Sequence, residues 1–280
     1  LLGQLAFVHY ISGVVYELNN EADNALVSYR LAYNLLRDRG EVIPLALKIS
    51  LAKLSYSLGL NSEYADYKSQ FSFDIDNLNY FGNQQQFVFY FDDVISQMKE
   101  SRLSLWYAPD DVYLSITVPR YEHSQYSEKV AKLDVSSMHL KTETIELLED
   151  RVREDLTDRM PEITSTALVR ASAKYALVNN MNQQDPILGA FANVFTLMSE
   201  VADLRHWTLL PAGIQIARFS FDMNSDMDSD MNSDVDSDTS HFDLSSYKAT
   251  QAITTVENTR QIVFVSSLTE KVFTATFSDN

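Results

Sequence analysis

The clearest metal-binding chemistry in the sequence lies in residues 222–238, a low-complexity segment in which Asp or Asn occupies every even position. Carboxylate and amide oxygens presented one after another are the ligands of calcium loops. The spacing matches at the first three ligand positions, but Met227 stands where such a loop requires Gly, and Ser233 where it requires Glu. The pattern therefore favours a solvated flexible loop over a specific calcium site. The calcium candidates are Asp222, Asn224, Asp226, Asp228 and Asp230.

Other catalytic patterns are missing from the sequence. The chain has no cysteine, and no two of its 5 histidines lie four residues apart. Its 7 glycines form neither a phosphate-binding loop nor a Gly-x-Ser-x-Gly elbow. The acid-rich segment 146–155 carries interleaved arginines, which is typical of a solvated, salt-bridged helix face. We therefore predict a non-enzymatic protein without cofactor, with a hydrolase as the weaker alternative because a catalytic triad needs no proximity in sequence.

One compact polar and aromatic cluster, Arg205, His206 and Trp207, lies between a predicted helix and a predicted strand. A Trp at such a junction usually fills a core, and an Arg there can bond the last helical carbonyls. Arg205 and Trp207 are therefore predicted to form a structural hub rather than a ligand site.

The N-terminal residues have the pattern of a helical hairpin with a break at Asn19–Asn20. The Gly, Tyr and Ala positions of a tetratricopeptide-type repeat are occupied by Gly13, Tyr16, Ala25, Tyr29 and Ala32. A degenerate second unit begins at Pro44, in which Tyr56 and Ala65 repeat the spacing of Tyr16 and Ala25. Two interpretations stay open: hairpins that merely pack, or a peptide-binding groove that uses Tyr16, Tyr29 and Tyr56.

The predicted domains follow from a change in pattern along the chain. Residues 1–72 are the tetratricopeptide-like region, 73–86 a linker, and 87–280 an α+β domain with mainly antiparallel strands and an acidic insert at 222–243. Strands are predicted at 87–91, 103–107, 112–118, 129–135, 214–219, 247–256, 261–266 and 271–277. Helices are predicted at 142–160, from Pro161, and from Asp185–Pro186 to Arg205.

Composition limits the class of partner. The chain of 280 residues has a formal net charge of −17, which argues against nucleic acid and anionic membrane surfaces. No run of about 18 apolar residues occurs, so no membrane-spanning segment is predicted. The chain opens on Leu1, which leaves room for a signal peptide or lipid anchor upstream.

Several segments together resemble an uncharacterised family of bacterial envelope lipoproteins. They are NALVSYRLAYNLL, PLALKISLAKLSYSLGL, FVFYFDDVISQMKESRL, LSITVPRY, ELLEDRVREDLTDRMPEITSTALVRASAKYAL and ADLRHWTLLPAGIQIARF. The resemblance implies tetratricopeptide-like helices before an α+β domain, a lipid anchor in the outer membrane, a periplasmic location, and an association with cell-wall synthesis. It implies no catalytic residues.

The favoured hypothesis is thus a protein-interaction adaptor or scaffold of the cell envelope that binds another envelope protein. The alternative is a binding module for a small ligand or glycan, in which Trp106, Tyr107 and Tyr113 line a cleft. Oligomeric state is not determined by the sequence.

Overall fold

The computed structural model describes residues 5–71, 84–107, 112–124, 126–135, 138–184, 202–205, 207–221, 239–245, 250–256, 259–269 and 271–278. These residues form an α+β fold with mostly antiparallel strands, as predicted. The helices are α1 (Ala6–Leu18), α2 (Ala22–Asp38), α3 (Leu45–Ser57), α4 (Asn61–Gln70) and α5 (Leu148–Gln184). The strands are β1 (Gln84–Asp92), β2 (Met98–Tyr107), β3 (Val112–Tyr121), β4 (Lys132–Val135), β5 (Met138–Lys141), β6 (Glu143–Leu147), β7 (Gly213–Phe221), β8 (Thr239–Ser245), β9 (Thr250–Val256), β10 (Thr259–Ser266) and β11 (Val272–Ser278).

The chain divides into two compact units, which are described separately. Unit 1 comprises Leu1–Asp93, Ser127–Leu148 and Pro211–Asn280, and unit 2 comprises Val94–Tyr126 and Glu149–Leu210. This division differs from the predicted boundaries at residues 72 and 87. The N-terminal helices bury their apolar faces against strands from the rest of unit 1, so they belong to the same unit as those strands.

The N-terminal helices of unit 1 form two hairpins, α1–α2 and α3–α4, joined by short turns. Asn20 (φ 63°) and Gly59 (φ 70°) adopt left-handed backbone conformations in these turns, which ends the preceding helix. Pro44 precedes α3 in an extended conformation. The predicted break at Asn19–Asn20 and the predicted helix start at Pro44 are confirmed.

Helices α1 and α2 approach closely because a glycine lies at their crossing. A Cβ atom on Gly13 would lie 2.6 Å from two ring carbons of Tyr29, which is fully buried. Ala25 and Ala32 on α2 are fully buried as well. The Gly and Ala positions of the predicted hairpin therefore lie where α1 and α2 pack closely.

The central sheet of unit 1 has the strand order β11-β10-β1-β7-β6. Strand β1 pairs in parallel with β10 and antiparallel with β7, so that Phe87 lies between Ile262 and Arg218. Since side chains alternate along a strand, Phe87 and Phe89 lie on one face of the sheet and Val88 on the other. The ring of Phe89 contacts the rings of Phe7 and Tyr10 on α1, so the first face is covered by helices.

The opposite face of the central sheet is covered by a second sheet with the order β5-β4-β8-β9. Apolar residues from both sheets form one core, and the central strands are buried on both faces as a result. The cluster contains Val88, Tyr90, Ala131, Leu133, Ala217, Phe219, Ile253, Val263 and Val265.

Strand β6 corrects the prediction of a helix from residue 142. It pairs antiparallel with β7, and helix α5 begins only at Leu148. Two of its glutamates hold the N-termini of helices: Glu146 accepts from the backbone N–H of Ala6 (2.7 Å) and Glu143 from that of Leu45 (2.5 Å). A carboxylate at a helix N-terminus satisfies a free N–H and interacts favourably with the helix dipole.

Unit 2 is built from the antiparallel hairpin β2–β3 and helix α5. Ile116 and Val118 of β3 pack against Ala167 and Ala171 of α5, and all four side chains are buried. The two alanines therefore let α5 pack closely against β3.

Helix α5 runs through Pro161, where a new helix had been predicted to start. A proline inside a helix leaves the carbonyl four residues earlier without its N–H donor. That residue, Thr157, is exposed, so water can replace the lost donor. The helix therefore continues instead of restarting.

Strands β5 and β8 were not predicted, whereas the strands predicted at 261–266 and 271–277 are confirmed as β10 and β11, which pair antiparallel. Most of the helix predicted from Asp185–Pro186 lies outside the described residues.

Within the part of the chain that the structure describes, no helix has both the length and the apolarity needed to cross a membrane.

Gly13→Ala is expected to destabilise the protein, because the new methyl group would overlap the buried Tyr29 ring. Overpacking of this kind costs about 1–3 kcal/mol and outweighs the gain of ~1 kcal/mol in helix propensity. Urea unfolding would measure the loss, with Asn34→Ala on the exposed face of α2 as the control. A Gly13→Ala variant at least as stable as the unmodified protein would contradict the close approach.

Candidate functional site

The strongest concentration of buried charge lies between the helices and the central sheet of unit 1. Arg218 of β7 donates from Nη2 to Oε1 of Glu17 on α1 (2.6 Å) and from Nη1 to Oε2 (3.0 Å). The Arg218 side chain is 0 % exposed and that of Glu17 only 8 %. A bidentate pair of this kind is the strongest arrangement of two ionised side chains.

Two further donors of Arg218 also have partners. Its Nε donates to Oε1 of Gln85 on β1 (2.9 Å), and Nη1 donates to Oγ of Ser50 on α3 (2.7 Å). The guanidinium lies over the ring of Phe87, 4.7 Å from its centroid. One side chain of β7 therefore links two helices and the neighbouring strand.

Glu17 is surrounded by further donors and cations. The hydroxyl of Tyr29 donates to its Oε2 (3.0 Å), and Nζ of Lys53 lies 3.6 Å from Oε1. Arg260 of β10 donates from Nη1 to the backbone carbonyl of Glu17 (2.8 Å). This cation lies at the C-terminal end of α1, where the helix dipole favours positive charge.

These surroundings determine the protonation of the cluster. Burial raises the pKa of Glu17, but the charges of Arg218 and Lys53 and the hydrogen bonds from Arg218 and Tyr29 outweigh it, so that this pKa lies below its ordinary value. Burial, with the nearby charge of Arg218, lowers the pKa of Lys53 to about 8 despite the attraction of Glu17. Glu17 is therefore ionised at neutral pH.

The contacts assign a structural role to this cluster. Its charged groups bond to one another and to the chain, and the Glu17–Arg218 pair is enclosed. The sequence analysis missed Glu17 entirely. The available signal was Arg218, which occupies the position after Ile214 and Ile216 in an alternating strand, where an apolar residue is expected.

The side of the hairpins on which a peptide groove was predicted faces the chain's own sheet. Helix α1 contacts Phe89 through Phe7 and Tyr10, and α3 contacts Arg218 through Ser50. Tyr29 is fully buried, so its predicted role in partner contact is wrong. Tyr16 and Tyr56 are exposed at 37 % and 62 % and stay candidates for interaction.

The predicted hub of Arg205 and Trp207 is wrong. Trp207 is 77 % exposed, and the side chain of Arg205 is 91 % exposed and pairs with Asp203 two residues earlier. For Trp207 to fill a core as predicted, residues of a strand and a helix would have to enclose its indole ring. The core of unit 2 is instead formed where Ala167 and Ala171 meet β3.

Unit 2 contains a cleft of about 310 Å³ between helix α5, strand β3 and residues 202–205. Its lining mixes apolar side chains with three arginines, two carboxylates and two threonines, and no described carboxylate forms an ion pair with Arg170. Several α5 residues lie on the same face of the helix, since they are three, four or seven positions apart. The lining consists of Met98, Thr117, Pro119, Leu156, Arg159, Glu162, Ile163, Thr166, Ala167, Arg170, Ala202, Asp203 and Arg205.

The remaining predicted sites are placed as follows. The calcium candidates Asp222, Asn224, Asp226, Asp228 and Asp230 lie outside the described residues. Trp106 and Tyr113 are paired across β2 and β3, but their side chains, like that of Tyr107, are outside the described part. Among the side chains that the structure describes, no group of three His, Asp or Glu is arranged to hold a metal ion.

Comparison with protein-family models, with curated proteins and with solved structures found no match to this chain.

Replacing one partner of the buried pair is expected to destabilise the protein strongly. Glu17→Gln and Arg218→Met should each cost about 3–5 kcal/mol, because each leaves a buried charge uncompensated, and the double variant should lose less than the sum. Since the folded-state pKa of Glu17 is lowered, its stabilising effect is present above pH 4.5 and is lost as pH falls below that value. Urea unfolding at pH 7 and pH ~4 would measure both effects.

The control for this experiment is Glu154→Gln, because the Glu154 side chain is 69 % exposed on α5. This variant should keep the acid sensitivity of the unmodified protein. If Glu17→Gln lost stability on acidification as steeply as the control, the role assigned to Glu17 would be refuted.

Proposed function

We propose that the protein is a non-enzymatic adaptor of the bacterial cell envelope that binds another envelope protein through its helical hairpins. The hairpins are taken as one tetratricopeptide-like repeat and one degenerate repeat. The proposal differs from the usual groove mechanism of such repeats, because the inner side of α1 and α3 packs on the central sheet. The partner would instead bind the outer surface of the hairpins.

The observation that carries this proposal is the exposed apolar surface of α2. Val27 and Leu31 are 52 % and 46 % exposed and lie one helical turn apart. Exposed apolar side chains are common singly, but a group of them on one surface is typical of an interaction site. Tyr16 of α1 and Tyr56 of α3 add exposed aromatic rings to the same helical layer.

The location is proposed from the sequence resemblance to envelope lipoproteins. It places the protein in the periplasm with a lipid anchor in the outer membrane and links it to cell-wall assembly. The net charge of −17 fits a protein partner with a basic or apolar surface better than an anionic lipid surface.

Leu31→Glu is expected to reduce recovery of the partner about tenfold, because a charge would be buried in an apolar contact. Recovery is measured by affinity purification from the envelope fraction of the bacterium that expresses the chain. Thr254→Glu is the control, since it adds the same charge to an exposed position of β9, whose sheet covers the opposite face of the central sheet from α2. Mass spectrometry would identify and quantify the partner. Equal recovery by both variants, or no partner with the unmodified chain, would contradict the proposal.

A second candidate function is binding of a small amphipathic anion in the cleft of unit 2. The specific observation is Arg170, which has no carboxylate ion-pair partner among the described residues and lies beside the apolar side chains of Leu156 and Ile163 in a lining that also contains Glu162 and Asp203. Ligand pockets of this kind use apolar walls for affinity and a few charged groups for orientation. The class of ligand is a carboxylate with an aliphatic tail.

Arg170→Gln is expected to weaken the binding of dodecanoate about tenfold, since the ion pair with the carboxylate would be lost. Isothermal titration would measure the affinity. Arg102→Gln is the control, because Arg102 is an exposed residue of β2 that is not part of this cleft. Equal affinity of the two variants, or no binding to the unmodified protein, would rule out this site without affecting the adaptor proposal.

A further inference from the structure

Strand β11 forms one edge of the central sheet, and its only strand partner within the described residues is β10. An edge strand presents a row of unpaired backbone N–H and C=O groups that can pair with another strand. Proteins usually block such edges with charged residues, proline or a bulge. The sequence of β11, VFTATFS, contains no charge and no proline, and its register with β10 is continuous.

The opposite edge of the same sheet is protected. Strand β6 carries Glu143 and Glu146, and its register with β7 shifts between Thr144 and Glu146. The two glutamates hold the first residues of α1 and α3, so helices are attached along this edge. The absence of such features on β11 is therefore specific to one side of the sheet.

The exposed side chains of β11 include two aromatic rings. Phe273 is 61 % and Phe277 36 % exposed, and Phe273 lies opposite Phe264 of β10 in the register. Residues opposite each other in an antiparallel pair have side chains on the same face, and Phe264 stacks on Phe89 on the helix-covered face. An apolar strip thus runs along the helix-covered face at an open edge.

The sequence of this strip is a palindrome. Residues 273–277 read Phe-Thr-Ala-Thr-Phe in both directions. If two copies of β11 pair antiparallel about a two-fold axis at Ala275, each Phe273 lies opposite Phe277 of the other copy, and each Thr274 lies opposite Thr276. Aromatic pairs and Thr pairs across antiparallel strands are stabilising.

We propose that the occupant of this edge is a second copy of the chain, and that β11 pairs with its counterpart to join two central sheets into one. The palindrome selects this occupant, because an isologous two-fold contact requires a surface that is complementary to itself. An axis perpendicular to the sheet keeps both helical layers on the same face, so that all four phenylalanines meet on that face. The proposal is independent of the adaptor function.

The expected association is weak. A contact made by one strand pair and its flanking side chains is at the small end of protein interfaces, which corresponds to a Kd of roughly micromolar order. The formal charge of −17 on each copy opposes association, so the dimer should be favoured by added salt.

Sedimentation velocity of the full chain measures whether it dimerises, and charged substitutions at positions 274 and 276 test which residues lie opposite each other in the dimer. In the proposed register, Thr274→Lys/Thr276→Lys places Lys opposite Lys, and Thr274→Glu/Thr276→Glu places Glu opposite Glu. Both variants should be monomeric at concentrations where the unmodified chain dimerises. A mixture of the two should form a heterodimer, and Thr274→Lys/Thr276→Glu, which places Lys opposite Glu, should dimerise by itself.

Each outcome of this experiment is decisive. The proposal is overturned if the unmodified chain is still monomeric at a concentration of roughly 100 μM. It is also overturned if Thr274→Lys/Thr276→Lys dimerises like the unmodified chain. Positions 274 and 276 are exposed, and thermal unfolding of each variant verifies that the fold is kept. Failure of the Lys/Glu variant to dimerise while the unmodified chain does so refutes the register.

A single introduced thiol gives a second test that does not depend on charge. The chain has no cysteine, so Ala275→Cys has one thiol, which the two-fold axis places opposite itself. Directly opposite residues of antiparallel strands have Cα atoms about 4.5–5.5 Å apart, within the range of a disulfide. Mild oxidation should give a covalent dimer of Ala275→Cys but not of Val42→Cys, whose position on the helical side is 83 % exposed. Equal cross-linking of the two variants overturns the proposal.

Discussion

The buried ion pair between Glu17 and Arg218 is the constraint on which unit 1 depends. Removing two charges from water is costly, and only a complete set of partners offsets that cost. Ser50, Gln85 and Tyr29 complete the set here. These three partners come from α3, β1 and α2, and the pair itself joins α1 to β7, so the charges are satisfied only when all these elements are in place.

The same pair specifies which face of β7 meets the helices. A shift of one residue along a strand moves every side chain to the opposite face, and here it would bring Arg218 into the apolar core that contains Ala217 and Phe219. The pair therefore stabilises the native register of β7 and makes a register shifted by one residue unfavourable. Arg260 reinforces the arrangement by bonding the carbonyl end of α1. A helical layer and a sheet are joined at a defined angle and register by a few polar contacts.

The packing of the hairpins on the central sheet leaves their outer surface accessible. Because the inner side of the hairpins is occupied by the central sheet, a partner can reach only the outer residues, among which Val27 and Leu31 are apolar. Among the described residues, β11 of unit 1 offers backbone pairing on the side away from β10, whereas the cleft of unit 2 offers arginines, carboxylates and apolar side chains. The acidic charge of the chain acts on all three by disfavouring polyanionic partners.

Much of the fold could be predicted because its signals are local. Asn19–Asn20 and Pro44 bound helices through backbone conformation, and the alternating residues around Ile214 and Ile216 produce a strand wherever the strand finally packs. The failures have a common cause. Residues 143–147 resemble the acidic helix that follows them, and only pairing with β7 makes them a strand. Likewise Trp207 is of a residue type that usually lies in a core, but its side chain is largely exposed.

The sequence by itself determined the α+β class, the helical hairpins with their close approach at Gly13, and the acidic character of the surface, since these depend on neighbouring residues and on composition. Only the tertiary structure decided the role of the charged residues. Glu17 and Arg218 are 201 positions apart, and nothing in either local pattern identifies the other as its partner. It also decided that one side of the hairpins packs on the central sheet and that β11 has β10 as its only strand partner within the described residues. Burial and pairing are properties of the packed chain, so residues with the same local pattern can end in a core or at a surface.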